Sequence, residues 1–319
     1  MDKDALEISP SREIIADSQL TAPLAEVGAE KRWETAIERS QPRARPIKII
    51  HPPSFSVKVI FTGLRTLAQY SDLLYTLSLF RLNVRYKQSA LGWAWAALQP
   101  LALMVIYTII FTRVTTVATG GTPYPVFVFS ALLPWIFFSS TISNAVNGLV
   151  LHTNLLTKMY FPREIIPLSY MFAALADFGI ALFLLFVMLK YYKLPLGWHL
   201  LYAVPIVLIL AGFAAAIALF FSAVQVRFRD VGLAMPFLLQ IWMFTVPVVY
   251  SLQSVPARFQ RWYLLDPLAG LIESFRRLVV HGTAPNVRVL ASCGATTVAV
   301  LALTYVFFKS SEATMADVI

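Results

Sequence analysis

The side chains able to do chemistry in this chain are few, and they stand far apart. The four histidines lie in polar segments or at the ends of apolar runs, none of them at metal-ligand spacing from another histidine, a cysteine or a carboxylate: His51, His152, His199 and His281. Cys293, which lies in an apolar run, is the single cysteine of the sequence. One cysteine cannot form a disulfide framework or a cysteine metal site. The sequence contains no G-x-x-x-x-G-K-[ST] phosphate loop and no G-x-S-x-G elbow. We therefore expect no metal site and no catalytic residue here.

Asp177 is the one ionisable residue near the middle of a predicted membrane span. An intramembrane carboxylate suggests function by default, and a proton-coupled carrier is the hypothesis that it raises. A proton relay usually needs several such groups, and we expect no buried lysine, arginine or histidine to pair with this one. The alternative is a carboxyl group bonded to hydroxyls or amides, such as those of Asn144 and Asn147.

The composition is that of a membrane protein. Of the 319 residues, 58% are hydrophobic and 13% are charged, whereas a soluble domain carries about 25% charged residues. The net charge of +9 raises the question of a nucleic-acid partner, but basic residues at the ends of spans meet anionic headgroups instead. We therefore predict membrane lipids as partners and no nucleic acid.

Six intervals between charged residues are long and apolar enough to cross a bilayer, which takes about 20 residues. Trimmed at prolines, glycines and polar ends, they predict helices at 93–113, 125–149, 165–189, 199–223, 232–250 and 289–308. The predicted fold class is an all-α integral membrane protein with six transmembrane helices. An even number of spans places both termini on one side. The lack of an apolar signal segment favours the cytoplasm for that side, and basic residues, evenly divided, do not decide it.

The rest of the chain divides by composition. We predict a disordered cytoplasmic tail at 1–54, an interfacial amphipathic segment at 55–92, a membrane domain at 93–309 and a cytoplasmic tail at 310–319.

Within the amphipathic segment, Ser71 and Asp72 can cap a helix that is too charged to span. We expect this helix to lie in the cytoplasmic interface plane. Its cations Arg81, Arg85 and Lys87 suit a lipid headgroup or a pyrophosphate, and they serve equally well as membrane anchors.

A second amphipathic helix is predicted between the fifth and sixth spans. Asp266 is its N-cap, Pro267 occupies its first turn and Gly282 ends it. A shorter helix near 256–264 precedes it. Together they form two short outer re-entrant helices that line a pore mouth, or alternatively an interfacial pair packed on the bundle.

Five stretches carry a resemblance to a known family: RYKQSALGWAWAALQP (85–100), LLPWIFFSS (132–140), LLTKMYFPREIIPLS (155–169), RFRD (227–230) and LLDPLAGLIESFR (264–276). In this order and spacing, the chain resembles the membrane-spanning subunit of the type-2 ABC exporters of bacterial cell-surface polysaccharides, such as O-antigen, capsule and teichoic acid. It departs from the family pattern at the front, where about fifty extra polar residues precede the match.

The resemblance implies a homodimeric permease in the bacterial inner membrane that works with two copies of a separate ATPase subunit. ATP and Mg²⁺ would bind that partner, so this chain would need no cofactor of its own. The substrate implied is a lipid-linked polysaccharide that passes through a channel at the homodimer interface.

The resemblance also assigns roles to particular residues. Aromatic side chains of the first and fifth spans would line the channel, where their faces can stack on sugar rings: Trp93, Trp95, Tyr107, Phe111, Phe237, Trp242, Phe244 and Tyr250. Two inner loops would couple to the ATPase: Lys158, Tyr160, Phe161, Pro162, Arg163, Glu164, Arg227, Arg229 and Asp230. The outer helices would form a gate: Trp262, Tyr263, Asp266, Pro267 and Phe275.

Two other functions remain open at this point. An exporter of drugs or lipids shares the architecture, although the aromatic content and the matched stretches argue against it. A membrane-embedded glycosyl or acyl transferase would need paired acids or a His/Asp constellation at a membrane surface, and the sequence shows none.

Overall fold

The computed structural model describes residues 57–87, 89–113, 121–159, 161–194, 197–250, 256, 258, 263 and 266–318. Every regular element within these residues is a helix, which confirms the predicted fold class. The predicted tail at 1–54 lies outside the described residues, as do Tyr160 and Trp262.

The helices are numbered here in chain order. They are α1 (Val57–Gln69), α2 (Ser71–Tyr86), α3 (Ala94–Arg113), α4 (Tyr124–Val146), α5 (Gly148–Leu151), α6 (Thr153–Lys158), α7 (Ile165–Tyr191), α8 (Ala203–Arg227), α9 (Asp230–Thr245), α10 (Pro267–His281) and α11 (Val287–Val318). A 3-10 helix at Trp198–Tyr202 leads directly into α8.

Five helices of the described chain are long and apolar enough to cross a membrane: α3, α4, α7, α8 with its 3-10 lead, and the part of α11 up to Glu312. The fifth predicted span, 232–250, forms the apolar but shorter helix α9 of 16 residues. At 1.5 Å per residue this helix is about 24 Å long, short of a hydrocarbon core of about 30 Å. The count of six transmembrane helices therefore stays a prediction.

Helix α4 is the centre of the bundle. Of its span, 78% is buried inside the protein, against 11% for α3 and 17% for α11. Phe138 of α4 stacks on Phe213 of α8 at 5.6 Å and meets Trp242 of α9 edge-on at 5.0 Å. Because α4 has apolar residues around most of its circumference, it can bury nearly all faces among its neighbours.

Helix α2 packs along the first half of α7. Arg81 bonds to Ser169, and Arg85 and Tyr86 both reach Asp177, so the two helices run in the same direction. The predicted cap at Ser71 and Asp72 is wrong, because the helix begins at Ser71 after Tyr70 and has no side-chain capping bond.

Helix α10 has the ends that the sequence predicts. Asp266 accepts a hydrogen bond from the Leu268 backbone nitrogen at 2.9 Å, Pro267 occupies the first turn, and Gly282 has a left-handed φ of 61°. A left-handed C-terminal residue favours glycine because glycine has no Cβ to clash. The whole apolar stripe of α10 is buried against the bundle: Leu268, Leu271, Ile272, Phe275, Leu278 and Val279. This packing matches the alternative of a helix docked on the bundle.

Candidate functional site

A cavity of about 740 Å³ opens between the end of α2 and helices α3, α4 and α7. One wall is apolar and comes from the middle of the bundle, including Leu103, Leu132 and Leu133. Another part of the lining carries charged, hydroxyl and amide groups, and aromatic rings lie beside them. These polar and aromatic lining residues are Arg85, Tyr86, Ser89, Trp95, Gln99, Tyr107, Trp135, Ser139, Ser140, Ser143, Asn144 and Asp177.

The polar part of the lining is built largely by one stripe of α4. This stripe consists of Ser139, Ser140, Ser143 and Asn144. Residues three or four positions apart lie on the same side of a helix, so the four share one helix face. Sequence reasoning missed this stripe, although its spacing within an otherwise apolar span was a visible signal. Polar side chains are costly in hydrocarbon, so their common orientation toward a cavity is the arrangement that a span tolerates.

Asp177 is paired with a cation, contrary to the expectation from sequence. The Arg85 guanidinium forms an ion pair with one carboxylate oxygen, and the Tyr86 hydroxyl donates to the other at 2.8 Å. Asp177 is the thirteenth residue of α7, so the pair lies about 18 Å along that helix from its start at 1.5 Å per residue. Burial, followed by the bond to Asp177, raises the pKa of Tyr86 to about 12. The alternative partners Asn144 and Asn147 do not bond to Asp177 within the described chain.

Arg81 lies one turn before Arg85 and is packed between helices. Its Nε donates to Ser169 at 2.5 Å, and its guanidinium lies 3.4 Å from the centre of the Tyr170 ring. Burial lowers the pKa of Arg81. The His152 Nδ1 lies 3.1 Å from the Gly148 carbonyl, so the neutral tautomer that donates there leaves Nε2, 3.5 Å from Arg81, as an acceptor.

The three cations predicted to meet a headgroup therefore occupy different surroundings. Arg81 is 8% exposed and bonds to Ser169 of α7. Arg85 is paired with Asp177. Lys87, just past the end of α2, is exposed. Of the three, Lys87 is the one whose charge is open to an external phosphate.

The first predicted coupling loop is anchored inside the protomer. Phe161, Pro162 and Glu164 are buried, Arg163 is half-buried, and Lys158 at the end of α6 is exposed. Among the described residues of this region, the exposed ones are Asn154, Lys158 and Met159.

A buried carboxylate joins this loop to the last helix. Glu164, 0% exposed, accepts from the Lys309 Nζ at 2.8 Å and from the Tyr305 hydroxyl at 3.0 Å. Lys309 also bonds to Glu312 at 3.0 Å, and Arg163 donates to the Glu312 carbonyl at 2.7 Å. No local sequence pattern predicts these contacts. They fix the loop to α11.

The second predicted coupling loop lies at the same end of the bundle. Arg227, Arg229 and Asp230 are all exposed. Just inside them, the Gln225 side chain donates to Asn147 at 3.0 Å and accepts from the Gly232 backbone nitrogen at 2.5 Å. These bonds hold together the C-terminal ends of α4 and α8 and the N-terminal end of α9.

The predicted channel aromatics separate into two groups. Four are exposed on the protomer surface: Trp93, Trp95, Phe237 and Phe244. The other four are partly buried: Tyr107, Phe111, Trp242 and Tyr250. Trp242 faces inward, since it packs on Phe138 and its Nε1 donates to Asp266 at 2.9 Å. Trp95 and Tyr107 line the cavity.

A buried arginine ties α10, the longer helix of the predicted outer gate, to the segment after α9 and to α4. Arg276 of α10 donates to the Pro247, Val248 and Tyr250 carbonyls and packs 4.2 Å from the centre of the Phe127 ring. Burial lowers the pKa of Arg276 to about 10.

Further contacts involve the other described residues of the predicted gate. The Tyr250 and Tyr263 hydroxyls lie 2.8 Å apart, and Phe275 is buried against Phe178. Pro267 starts α10, where Asp266 bridges Trp242 and the helix N-terminus.

Comparison with known proteins now decides the family. Residues 73–280 match the family model for ABC-2 type transporters, and this region includes α2 through α10. The chain belongs to this family. The matched region covers the cavity, both inner loops and the arginine-anchored outer helix of this ABC-2 transporter chain.

Curated relatives of this ABC-2 chain are named for the export of O-antigen or the transport of polysialic acid. It is 31% identical over 255 residues to the O-antigen export system permease protein RfbA of Myxococcus xanthus, covering 79% of this chain and 97% of that protein. It is 29% identical to the O-antigen export system permease protein RfbA of Klebsiella pneumoniae, covering 66% and 82% of the two chains. The polysialic acid transport protein KpsM of Escherichia coli is 25% identical, with 65% and 80% covered.

Proposed function

We propose that two copies of this chain form the membrane part of an exporter that moves a lipid-linked polysaccharide across the bacterial inner membrane. The main support is the match along 97% of a protein named as an O-antigen export permease. The resemblance of both inner loops to the family pattern supports two separate ATPase subunits as partners, with ATP and Mg²⁺ bound there. Both termini of the described membrane domain then face the cytoplasm.

The geometry fits this proposal at three places. A polar and aromatic cavity at bilayer depth suits a carbohydrate better than a purely apolar lipid. The exposed faces of α3 and α9 offer apolar area for a second copy. The exposed residues of α6 and residues 227–230 lie at one end of the bundle, where an ATPase can dock.

Genetic complementation tests the transport proposal. A strain with its chromosomal copy deleted should lose surface polysaccharide and regain it when the full-length gene is supplied, as measured by immunoblotting of whole cells. Retention of normal surface polysaccharide in the deletion strain, in the absence of a second permease gene, would contradict the proposal.

Copurification tests the ATPase partnership at exposed residues only. Charge reversal by Lys158→Glu together with Arg229→Glu should abolish copurification of an ATPase subunit while leaving the permease folded. Lys190→Glu together with Lys193→Glu, two exposed lysines at the opposite end of α7, is the charge-matched control. Equal recovery of ATPase with all variants would exclude docking at these loops.

A further inference from the structure

The cavity between α2, α3, α4 and α7 has chemistry that membership of the family does not define. Its volume of about 740 Å³ lies in the range of roughly 300–1,000 Å³ that small-molecule sites occupy. It follows α3 from Trp95 to Tyr107, twelve residues and therefore about 18 Å along the helix at 1.5 Å per residue. A cavity of this size suits the end of a glycan and not a whole polysaccharide.

Polar side chains of α4 that line this cavity have hydrogen-bonding groups without a partner in the described chain. Ser139 donates to the Ile136 carbonyl at 3.3 Å, and the Asn144 amide nitrogen donates to the Ser140 carbonyl at 2.6 Å. Within the described chain, the Ser143 hydroxyl and the Asn144 side-chain oxygen have no partner. A span retains such groups at low cost only where water or a polar ligand meets them.

The charges of the cavity cancel. Arg85 and Asp177 are its charged lining residues within the described chain, and they are paired with each other. A phosphate on Arg85 would share the guanidinium with Asp177 and be repelled by that carboxylate, whereas a neutral ligand rich in hydroxyl groups can bond to the pair without such repulsion. Trp95, 46% exposed, presents a ring beside these groups. This combination favours a sugar.

We propose that the cavity is a carbohydrate-binding subsite for sugar rings of the glycan, a substrate identity that rests on the proposed function. The stripe at Ser143 and Asn144 bonds to sugar hydroxyls, Asp177 accepts from one of them, and Trp95 packs on the C–H face of a ring.

Three amphiphiles with the same octyl chain test this subsite. They are octyl β-D-glucopyranoside, tetraethylene glycol monooctyl ether, which has no sugar, and octyl phosphate. The full-length protein is extracted into styrene–maleic acid particles, which avoids sugar-based detergents, and binding is measured by saturation-transfer difference NMR below micellar concentrations. We expect saturable binding of the glucoside, at least tenfold tighter than that of the ether.

Variants locate the binding in the cavity. Ser143→Ala with Asn144→Ala should weaken glucoside binding at least tenfold, and Trp95→Leu should weaken it similarly without removing a hydrogen-bonding group from α4. The matched control is Ser292→Ala with Thr296→Ala, which removes two hydroxyls from the exposed face of α11 and should change nothing.

Three outcomes would overturn the subsite: equal binding of glucoside and ether, equal effects of the cavity and control variants, or octyl phosphate binding that follows the same variants and competes with the glucoside. The result is separable from the proposed function. Restored surface polysaccharide without glucoside discrimination refutes the subsite alone. Glucoside binding by a chain that fails to restore surface polysaccharide refutes the proposed function alone.

Discussion

Two carboxylates inside the bundle, Asp177 and Glu164, are each held by a cation from a distant part of the chain. Arg85 comes from the helix before the first span and Lys309 from the end of the last one. An ionised group removed from water is stable only when it is paired and hydrogen-bonded, and each carboxylate here also accepts from a tyrosine hydroxyl. Both pairs therefore fix one helix against another.

A first prediction concerns Asp177 and separates pairing from proton coupling. Asp177→Asn leaves the Arg85 charge without its partner and should lower the free energy of unfolding by about 1–3 kcal/mol. Adding Arg85→Gln removes the unpaired charge and should recover most of that loss. The thermal midpoint of each variant in nanodiscs, with surface polysaccharide as the transport readout, checks this.

The proton-coupling hypothesis makes the opposite prediction for transport. If Asp177 carried a proton, the double variant would be stable and inactive. Export by the double variant at more than about half the wild-type level would exclude a proton-carrying role for Asp177.

A second prediction concerns the buried Glu164. Glu164→Gln leaves Lys309 with Glu312 as its remaining acidic partner, and we expect a loss of about 3 kcal/mol, as is typical when one member of a buried pair is removed. Glu312→Gln is the control, because that carboxylate is 29% exposed and bonds to the same lysine. Its thermal midpoint should fall far less. A larger shift for Glu312→Gln would mean that the buried carboxylate is not the anchor.

At the scale of helices, local signals predicted some ends correctly and missed others. The Asp266, Pro267 and Gly282 signals of α10 act within one or two turns, so sequence alone located both ends of that helix. The fifth span was predicted to reach residue 250, but α9 ends at Thr245. Val246 precedes Pro247, and a residue before proline disfavours the helical conformation. This signal was present in the sequence.

Other features required the tertiary structure. The carbonyls freed after α9 are taken by Arg276, a residue 26 to 29 positions further along the chain. The partner of Asp177 was missed for the same reason, since no local pattern shows that α2 packs along α7. The polar stripe of α4 could be predicted in part. The spacing of its residues is visible in the sequence, but the cavity that they line depends on how α4 packs against other helices.

A third prediction concerns the close approach at the start of α9. A Cβ on Gly232 would lie 2.3 Å from the Asn147 side-chain oxygen and 2.6 Å from the Gln225 nitrogen. Gly232→Ala should therefore break the bonds that join the C-terminal ends of α4 and α8 and the N-terminal end of α9, at a cost of about 1–3 kcal/mol. Thermal unfolding and ATPase copurification should both decline.

Gly179 provides the matched control for that substitution. It lies in the middle of α7, and a Cβ there would meet nothing within 4 Å. Gly179→Ala should be neutral or stabilising by up to about 1 kcal/mol, since alanine loses less conformational freedom in a helix. Equal thermal shifts for both variants would show that the contacts around Gly232 do not matter.

At the scale of the whole molecule, the apolar surface is distributed unevenly over the helices. Ile109 of α3 is 59% exposed, and Phe237 of α9 is 64% exposed. Exposed apolar side chains suit contact either with lipid or with a second copy of the chain. Both environments are compatible with the exposed fractions of these side chains in a single protomer. The proposed homodimer assigns α3 and α9 to the subunit interface and leaves α11 to lipid.

A fourth prediction tests that assignment by cross-linking. Cys293 is the only cysteine in the sequence, so Cys293→Ser provides a background without thiols. In it, Ile109→Cys and Phe237→Cys should give dimers with a short bis-maleimide in native membranes, as seen on a non-reducing gel. Leu303→Cys on the exposed face of α11 should remain monomeric. Dimers from Leu303→Cys alone would place the interface elsewhere.

The bond between Glu164 and Lys309 also sets a time order on assembly. The two residues are 145 positions apart in the chain, which at about 5–20 residues per second corresponds to roughly 7–29 s of synthesis. During that interval the first inner loop has already been made, but the cation that fixes it does not yet exist. Under the proposed function, a nascent protomer therefore presents a loosely held docking loop, and only the finished chain presents a rigid one. Partner selection by this loop would thus favour completed protomers.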